Sequence, residues 1–276
     1  MISVRDFYFN YGRVKGFAGV STTLTPGHIY GVLGKNGTGK STLLYNIAGL
    51  LFPSSGRISV NGHDPSKRQP AFLQDIFMVP EEFYLPNIPV KAFLKYYSVF
   101  YPMFDRDTFH QYMDLFEVPV NSLLQGMSYG QKKKVYISFG VAANTSVLLM
   151  DEPTNGLDII SKGQFRKVIA SAAADNKILM ISSHQIKDLE NLIDEVVIIN
   201  DTSIVLKESL NQVARKLSFK ISFDESELTD ALYAESVMRG NTLVTRNTEE
   251  EESKVDLELF YKATMSDPAK MKMVLK

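Results

Sequence analysis

The sequence predicts an α/β fold: a mostly parallel sheet joined by crossover helices, with a β-rich beginning, a helical middle and a small C-terminal α+β extension. Three observations carry this. Residues 34–41 read G-K-N-G-T-G-K-S, a G-x-x-x-x-G-K-S loop set between a short apolar strand and an apolar-periodic helix. Apolar strands over 147–150, 177–182 and 196–200 alternate with helical stretches, the pattern of parallel strands with crossovers. Beyond about residue 211 the texture changes to strict alternation, with Leu217, Phe219, Ile221 and Phe223 separated by polar residues, which marks a half-buried strand.

Taken in order, strands are expected over 2–9, 20–24 and 29–33. A helix follows from Ser41, with Thr42, Leu43, Leu44, Ile47, Ala48 and Leu50 at helical spacing. Pro53-Ser54-Ser55-Gly56 and Asn61-Gly62 read as turns around a strand over 57–60. A short apolar strand over 76–79 ends at Pro80. From Val90 to about Val118 the pattern is helical and aromatic. Phe93, Tyr96 or Tyr97, and Phe100 share one face, and Phe109, Tyr112 or Met113, and Phe116 another. These rings read as a helical core, or in part as a groove that accepts a partner helix. Helices are expected over 161–173 and 186–192. In the tail, Gly240-Asn241 reads as a hairpin turn, Glu249-Glu250-Glu251-Glu252 as a solvated acidic loop, and Leu257, Phe260 and Tyr261 as a closing helix.

Composition limits the functions available. The chain has 276 residues, 45% of them hydrophobic, enough for one large α/β domain or one domain with an appendage. Thirty basic against 31 acidic residues leave a net charge of -1, which gives no reason to expect nucleic acid or an anionic membrane as the main partner. Cysteine is absent, so there is no disulfide framework, thiolate zinc site or cysteine nucleophile. Four histidines argue against a dedicated metal cage. Met1-Ile2-Ser3-Val4-Arg5-Asp6 lacks the features of a secretory signal, and no apolar window is long enough to span a bilayer. The expectation is a soluble, cytosolic chain whose membrane role, if any, runs through another polypeptide.

The chemistry starts at the loop. Its glycines let successive N–H groups turn toward phosphate oxygens, Lys40 sets a positive charge against the outer phosphates, and Ser41 offers a hydroxyl to Mg²⁺. The helix that follows favours an anion at its N-terminus. Val147-Leu148-Leu149-Met150 ends in Asp151 and Glu152, and a parallel strand delivers such residues to the sheet edge where ligands bind. Asp151 suits metal organisation, and Glu152 suits orienting or deprotonating an attacking water. Met127-Ser128-Tyr129-Gly130-Gln131 opens a further helix with Ser128 as a natural N-cap. Taken alone this segment reads as capping. The run Lys132-Lys133-Lys134 that follows it reads as a solvated helix face.

The order of phosphate loop, S-x-G-Q, apolar strand with Asp-Glu, Gly156-Leu157-Asp158 and Ser183-His184 resembles an ATP-binding cassette (ABC) ATPase over roughly the first three quarters of the chain. That resemblance implies an α/β P-loop NTPase core of ABC ATPase type, with an antiparallel β subdomain and a helical subdomain. The nucleotide-binding domain would cover residues 1–210, with the helical subdomain inserted at about 82–140 and an accessory subdomain over 211–276. It implies a head-to-tail dimer with ATP and Mg²⁺ between two copies. Gly34, Lys35, Asn36, Gly37, Thr38, Gly39, Lys40, Ser41 and Thr42 of one copy would hold the triphosphate. Ser128, Gly130 and Gln131 of the other would close over it. Tyr11 matches the aromatic that stacks on adenine, with Tyr8 and Phe9 as rivals. Asp158 matches the loop that couples the two sites, and His184 the switch histidine at the γ-phosphate. Ser41, Asp151 and Glu81 would face the metal, with Glu152, His184 and Lys40 as catalytic groups.

Two positions depart from the family pattern: Tyr129 stands where a glycine is frequent, and Glu81 where a glutamine is usual. The function implied is the ATPase subunit of an ABC transporter, cytoplasmic and attached through integral membrane subunits, with no nucleic acid expected. Tyr101-Pro102-Met103-Phe104-Asp105, Pro80-Glu81-Glu82 and the C-terminal extension resemble export systems. Three alternatives stand beside it: a soluble ABC ATPase acting on nucleic acid or the ribosome, a P-loop kinase or GTPase, and a nucleotide-gated regulatory subunit.

Overall fold

The computed structural model describes residues 1–238, 240–248 and 253–276; the acidic run at 249–252 lies outside the described residues. The chain begins with β1 (Ile2–Tyr8), the short hairpin β2 (Asn10–Tyr11) and β3 (Val14–Lys15), then β4 (Val20–Leu24), β5 (His28–Leu33), α1 (Lys40–Ile47) and β6 (Ser55–Val60). Next come α2 (Pro70–Leu73), β7 (Ile76–Val79), α3 (Val90–Tyr97), α4 (Arg106–Leu115) and α5 (Tyr129–Ala142). The alternating part is β8 (Val147–Asp151), α6 (Ile159–Ala172), β9 (Ile178–Ser183), α7 (Ile186–Leu189), β10 (Glu195–Asn200) and β11 (Ser203–Ser209). The tail holds α8 (Leu210–Lys216), β12 (Leu217–Ser222), β13 (Tyr233–Ser236), β14 (Asn241–Arg246), α9 (Leu257–Ser266) and α10 (Pro268–Leu275).

The central sheet runs β11-β10-β5-β9-β8-β7. Its pairs from β10 to β7 are parallel, and β11 closes one edge antiparallel to β10. Along β5, Tyr30 and Val32 enter one core while Ile29 and Leu33 enter the other. Burial on both faces is why this strand reads as an apolar run rather than an alternation. One face is covered by α1 and the antiparallel sheet β4-β1-β6, through Leu43, Leu44, Ile47, Ile2, Val4 and Ile58. The other face is covered by the helical stretch and by apolar residues of the tail, including Phe139, Phe165, Val213, Phe260 and Met271. The register sets Leu33 beside Ser183 and Asp151 beside Ser182. The ends of β5, β8 and β9 therefore meet at one edge, which is what gathers the site.

The helical middle is broken rather than continuous. A 3₁₀ turn over Ser98–Phe100 ends α3, and Asp105 restarts the chain by accepting hydrogen bonds from the amides of Asp107 and Thr108 at 3.0 Å. Phe93, Phe109, Met113 and Phe116 are core, whereas Tyr96, Tyr97 and Phe100 are exposed. In the tail the alternation does mark a strand, β12, and Gly240-Asn241 does lead into β14 opposite β13. Burial of the alternating apolar residues, however, fades along it: Leu217 is buried and Phe219 half-buried while Ile221 and Phe223 are exposed. The helix expected over 186–192 is only the single turn of α7, and β11 and α10 were not anticipated.

Candidate functional site

The loop after β5 rises from the buried Gly34 to an exposed tip at Lys35, Asn36 and Gly37 and returns to the buried Thr38 and Lys40. Thr38 Oγ1 donates to the Lys35 carbonyl at 2.9 Å, bracing the tip. Gly39 caps α1 with φ at 104°, and a Cβ there would lie 2.8 Å from the Phe17 ring, so both backbone and space require glycine. No side chain caps α1, and its first-turn amides, at Lys40, Ser41 and Thr42, are left to face the loop. Tyr11 projects from the β2–β3 hairpin, half exposed, with its hydroxyl 3.1 Å from Thr42 Oγ1 and its ring edge-on to Phe9. The antiparallel sheet thereby brings an aromatic to the start of α1.

Lys40 is 5% exposed and donates to the carbonyls of Gly34 at 2.9 Å and Lys35 at 3.2 Å. Its ammonium also lies 3.3 Å from Glu152 Oε1, and His184 Nδ1 lies 3.0 Å from Glu152 Oε2. The edge of the sheet thus clasps Glu152 between the phosphate loop and the end of β9. Glu152 has φ at 45°, a strained value for a non-glycine residue. Its amide donates to Ser182 Oγ at 3.1 Å, and Ser182 Oγ donates in turn to Asp151 Oδ1. Asp151 Oδ2 is buried without a hydrogen-bond partner, and neither Glu152 oxygen has one beyond its ion pair. Buried carboxylate oxygens left this way suit a divalent cation and a polar substrate. Among the described residues no three His, Asp or Glu side chains converge as a cage. Burial first, then the Asp151 carboxylate, pushes the Tyr45 hydroxyl up to about 12, so a protonated phenol stands beside that carboxylate.

Glu81 joins the site through a chain of amides. Its Oε1 accepts from Asn155 Nδ2 at 2.9 Å, and Asn155 Oδ1 accepts from Gln185 Nε2 at 3.1 Å. Gln185 Oε1 accepts from Lys162 at 2.9 Å, and Lys162 pairs with Asp188 at 2.7 Å. The segments after β7, β8 and β9 are therefore linked side chain to side chain.

The Ser128 segment does form a capping box: Gln131 N donates to Ser128 Oγ at 3.2 Å and Ser128 N donates to Gln131 Oε1 at 3.0 Å. Asp158 caps α6, and its bonds from the amide and hydroxyl of Ser161 hold its carboxyl below the usual range. No hydrogen bond among the described residues joins Ser128, Gly130 or Gln131 to the phosphate loop of the same chain. Tyr129 has a local role: its hydroxyl donates to the Glu81 carbonyl and its ring stacks on Phe83. That ring lies so close to Gly156 (φ 79°) that a Cβ there would be 2.8 Å away.

Lys133 overturns the expectation of a solvated face over 132–134. It is 0% exposed and donates to the Glu152 carbonyl at 2.7 Å and the Asn155 carbonyl at 3.3 Å. Burial lowers its pKa to about 8, opposed by Glu81, Glu152 and Asp151. The charge run concealed it; the signal was the spacing, since Lys133 continues the buried stripe of Ile137 and Gly140 along α5. Asn155, Ser182, Gln185 and Tyr45 were also missed, because none belongs to a motif and each acts through a contact distant in sequence.

A second feature lies on the helical side. Leu50, Phe77, Tyr84, Tyr97, Phe100 and Tyr136 line an apolar groove of about 650 Å³.

Comparison with known proteins places these features together. The family model described as ABC transporter matches residues 17–155. The chain is 30% identical over 235 residues to the ABC transporter ATP-binding protein NatA of Bacillus subtilis (strain 168), covering 82% of this chain and 92% of that protein. It is 27% identical to the bacitracin transport ATP-binding protein BcrA of Bacillus licheniformis, over 84% of this chain and 77% of that one. A dimeric ATP-binding cassette in a post-hydrolysis state, bound to ADP and Pi, superposes with a TM-score of 0.67 at 19% identity, covering 76% of this chain and 99% of the other.

Proposed function

The chain belongs to the ABC transporter family as an ATP-binding, ATP-hydrolysing subunit, and from that premise we propose that it drives export through separate membrane-spanning chains, as a head-to-tail dimer that closes on two MgATP. The observation that carries the hydrolytic site is Glu152, buried and clasped between Lys40 and His184. In this reading residues 34–42 hold the triphosphate and Tyr11 stacks on the adenine. Lys40 faces the outer phosphates, which draws it from Glu152 and leaves that carboxylate to take a proton from the attacking water. Water's oxygen bonds to the γ-phosphorus as the bond to the ADP oxygen breaks. Ser41, Asp151 and Glu81 would hold Mg²⁺, which would offset charge on the phosphates. His184 orients Glu152 and the γ-phosphate. Ser128, Gly130 and Gln131 address the nucleotide of the second copy, and Asp158 lies in the turn between the two sites.

No helix among the described residues is long and apolar enough to cross a membrane. We read the chain, a nucleotide-binding unit over 1–210 with an accessory 211–276, as cytoplasmic and held at the membrane's inner face by its partners. The apolar groove suits a helix from such a partner. The export direction is our reading of residues 80–82, 101–105 and the tail. Purified chain should release phosphate from ATP with Mg²⁺, and Glu152→Gln should still bind ATP but turn it over no faster than background. Isolation of the complex from membranes should recover a membrane-spanning chain; recovery of nucleic acid instead would refute the transport assignment. Loss of the subunit should sensitise cells to a toxic compound, as loss of export does, and a nutrient-uptake defect would reverse the direction.

A further inference from the structure

Lys133 is fully buried, yet none of the roles above uses it. We propose that Lys133 is a positioning residue for Glu152: its ammonium holds the turn that carries the catalytic carboxylate and ties that turn to the helix whose start addresses the second copy's nucleotide. The proposal rests on the hydrolytic reading just given.

Three observations support it. Glu152 is held at φ 45°, a conformation the surroundings must enforce. Its carbonyl accepts from the Asn155 amide at 3.2 Å and from Lys133 at 2.7 Å, so Lys133 supplies the second of two donors. The same ammonium reaches the Asn155 carbonyl, clipping both ends of the turn, and no carboxylate among the described residues forms an ion pair with it. A buried ammonium is costly unless its protons are satisfied; here backbone carbonyls of the turn satisfy them, so the turn and the ammonium fix each other. Lys133 also sits one turn after Tyr129, 5.4 Å from its ring, and Tyr129 in turn touches Glu81 and Gly156. Ser128 and the turn of the same copy's Glu152 are thus joined through one helical turn of α5.

The test compares purified full-length wild type, Lys133→Met, Lys133→Arg and Glu152→Gln for equilibrium ATP binding, melting and kcat at saturating MgATP. Methionine keeps the length and removes the charge. We expect kcat in Lys133→Met to fall by roughly tenfold to a hundredfold with ATP affinity within about twofold of wild type, as displacement of a supporting group does. Lys133→Arg, which keeps donors for the two carbonyls, should recover most of that loss. The proposal is overturned if Lys133→Met keeps wild-type kcat, if affinity falls in step with kcat, or if Lys133→Arg is as impaired as Lys133→Met. Loss of folding in Lys133→Met would likewise overturn it, by assigning Lys133 a structural role only. If wild type fails to hydrolyse ATP, or Glu152→Gln hydrolyses it normally, the underlying reading fails and the inference falls with it; if those two behave and only Lys133→Met is silent, the inference alone falls.

Discussion

The polar edge at the ends of β5, β8 and β9 and the apolar groove beside α3 and α5 lie on the same sheet but are held in opposite ways. At the edge, charged groups are buried: Lys40, Asp151, Glu152 and Lys133 are each at most 5% exposed; Lys40, Glu152 and Lys133 are held by backbone atoms or an opposite charge, and Asp151 by the Ser182 hydroxyl. In the groove, rings stand in solvent: Tyr84 is 87% and Phe100 62% exposed, and tilted contacts of the Phe77 ring with Tyr136 and Phe139 hold the wall. Buried charge gives a site whose geometry is over-determined, which chemistry needs. Exposed rings give a surface whose energy is released only when something covers it.

Substitution at the edge should therefore act on turnover and substitution in the groove on assembly. The largest effect is expected at Glu152→Gln: kcat falls by roughly a hundredfold to ten-thousandfold, the usual worth of a positioned base, while ATP binding survives. Normal turnover in that variant would transfer the base role away from the clasp. Next comes Lys40→Ala, which removes the positive charge proposed to face the outer phosphates and should weaken ATP affinity by about tenfold or more; unchanged affinity in a direct binding titration would remove Lys40 from the site. By contrast, Phe100→Glu should leave the ATPase rate of the isolated chain within about twofold, since exposed substitutions rarely disturb a distant fold, yet abolish recovery of membrane partner. If it lowered hydrolysis instead, the two regions would not be separable.

The edge was legible in the sequence to the extent that its chemistry is local. The phosphate loop, Asp151-Glu152 and the Ser128 cap each announce a proposed role in adjacent residues, and β5, β8 and β9 were readable as apolar runs between breakers. Lys133 was not, because a lysine in a run of three looks solvated until the helix is seen inserted between the sheet and the turn. The groove was half legible: ring spacing gave the helices and the Phe93–Tyr97 stack, but the 3₁₀ turn over Ser98–Phe100 leaves Phe100 exposed instead of on the buried face of Phe93. The tail misled in the same manner. Alternation located β12, but alternation reports two faces and not which of them a neighbour covers, and Ile221 and Phe223 remain exposed.

A smaller effect concerns stability and pH. Lys133 has a folded pKa lowered from 10.5 to about 8. Between those values the unfolded chain holds a proton that the folded chain has released, so stability rises with pH across that window and the cost is full below it. The wild-type urea midpoint should climb from pH 8 toward pH 10, and Lys133→Met should lack the climb. At neutral pH the variant should start ahead by up to roughly 3 kcal/mol, less the value of the lost carbonyl bonds. Parallel slopes in the two proteins would show that the edge does not carry an unsolvated charge.

The smallest effect is expected at Glu81→Gln, and it is the sharpest test of how the edge uses charge. Glu81 contributes an acceptor to Asn155 Nδ2, and a glutamine carbonyl oxygen supplies the same acceptor. The chain through Asn155, Gln185 and Lys162 should survive, with melting unchanged. What the substitution removes is one negative charge near Asp151, Glu152 and Lys133, so any change must appear as a shift in the Mg²⁺ concentration needed for half-maximal turnover. A shift to higher Mg²⁺ would place Glu81 in the metal's field. An unaltered Mg²⁺ dependence and turnover would leave it as a hydrogen-bonding strut and remove it from the proposed metal ligands.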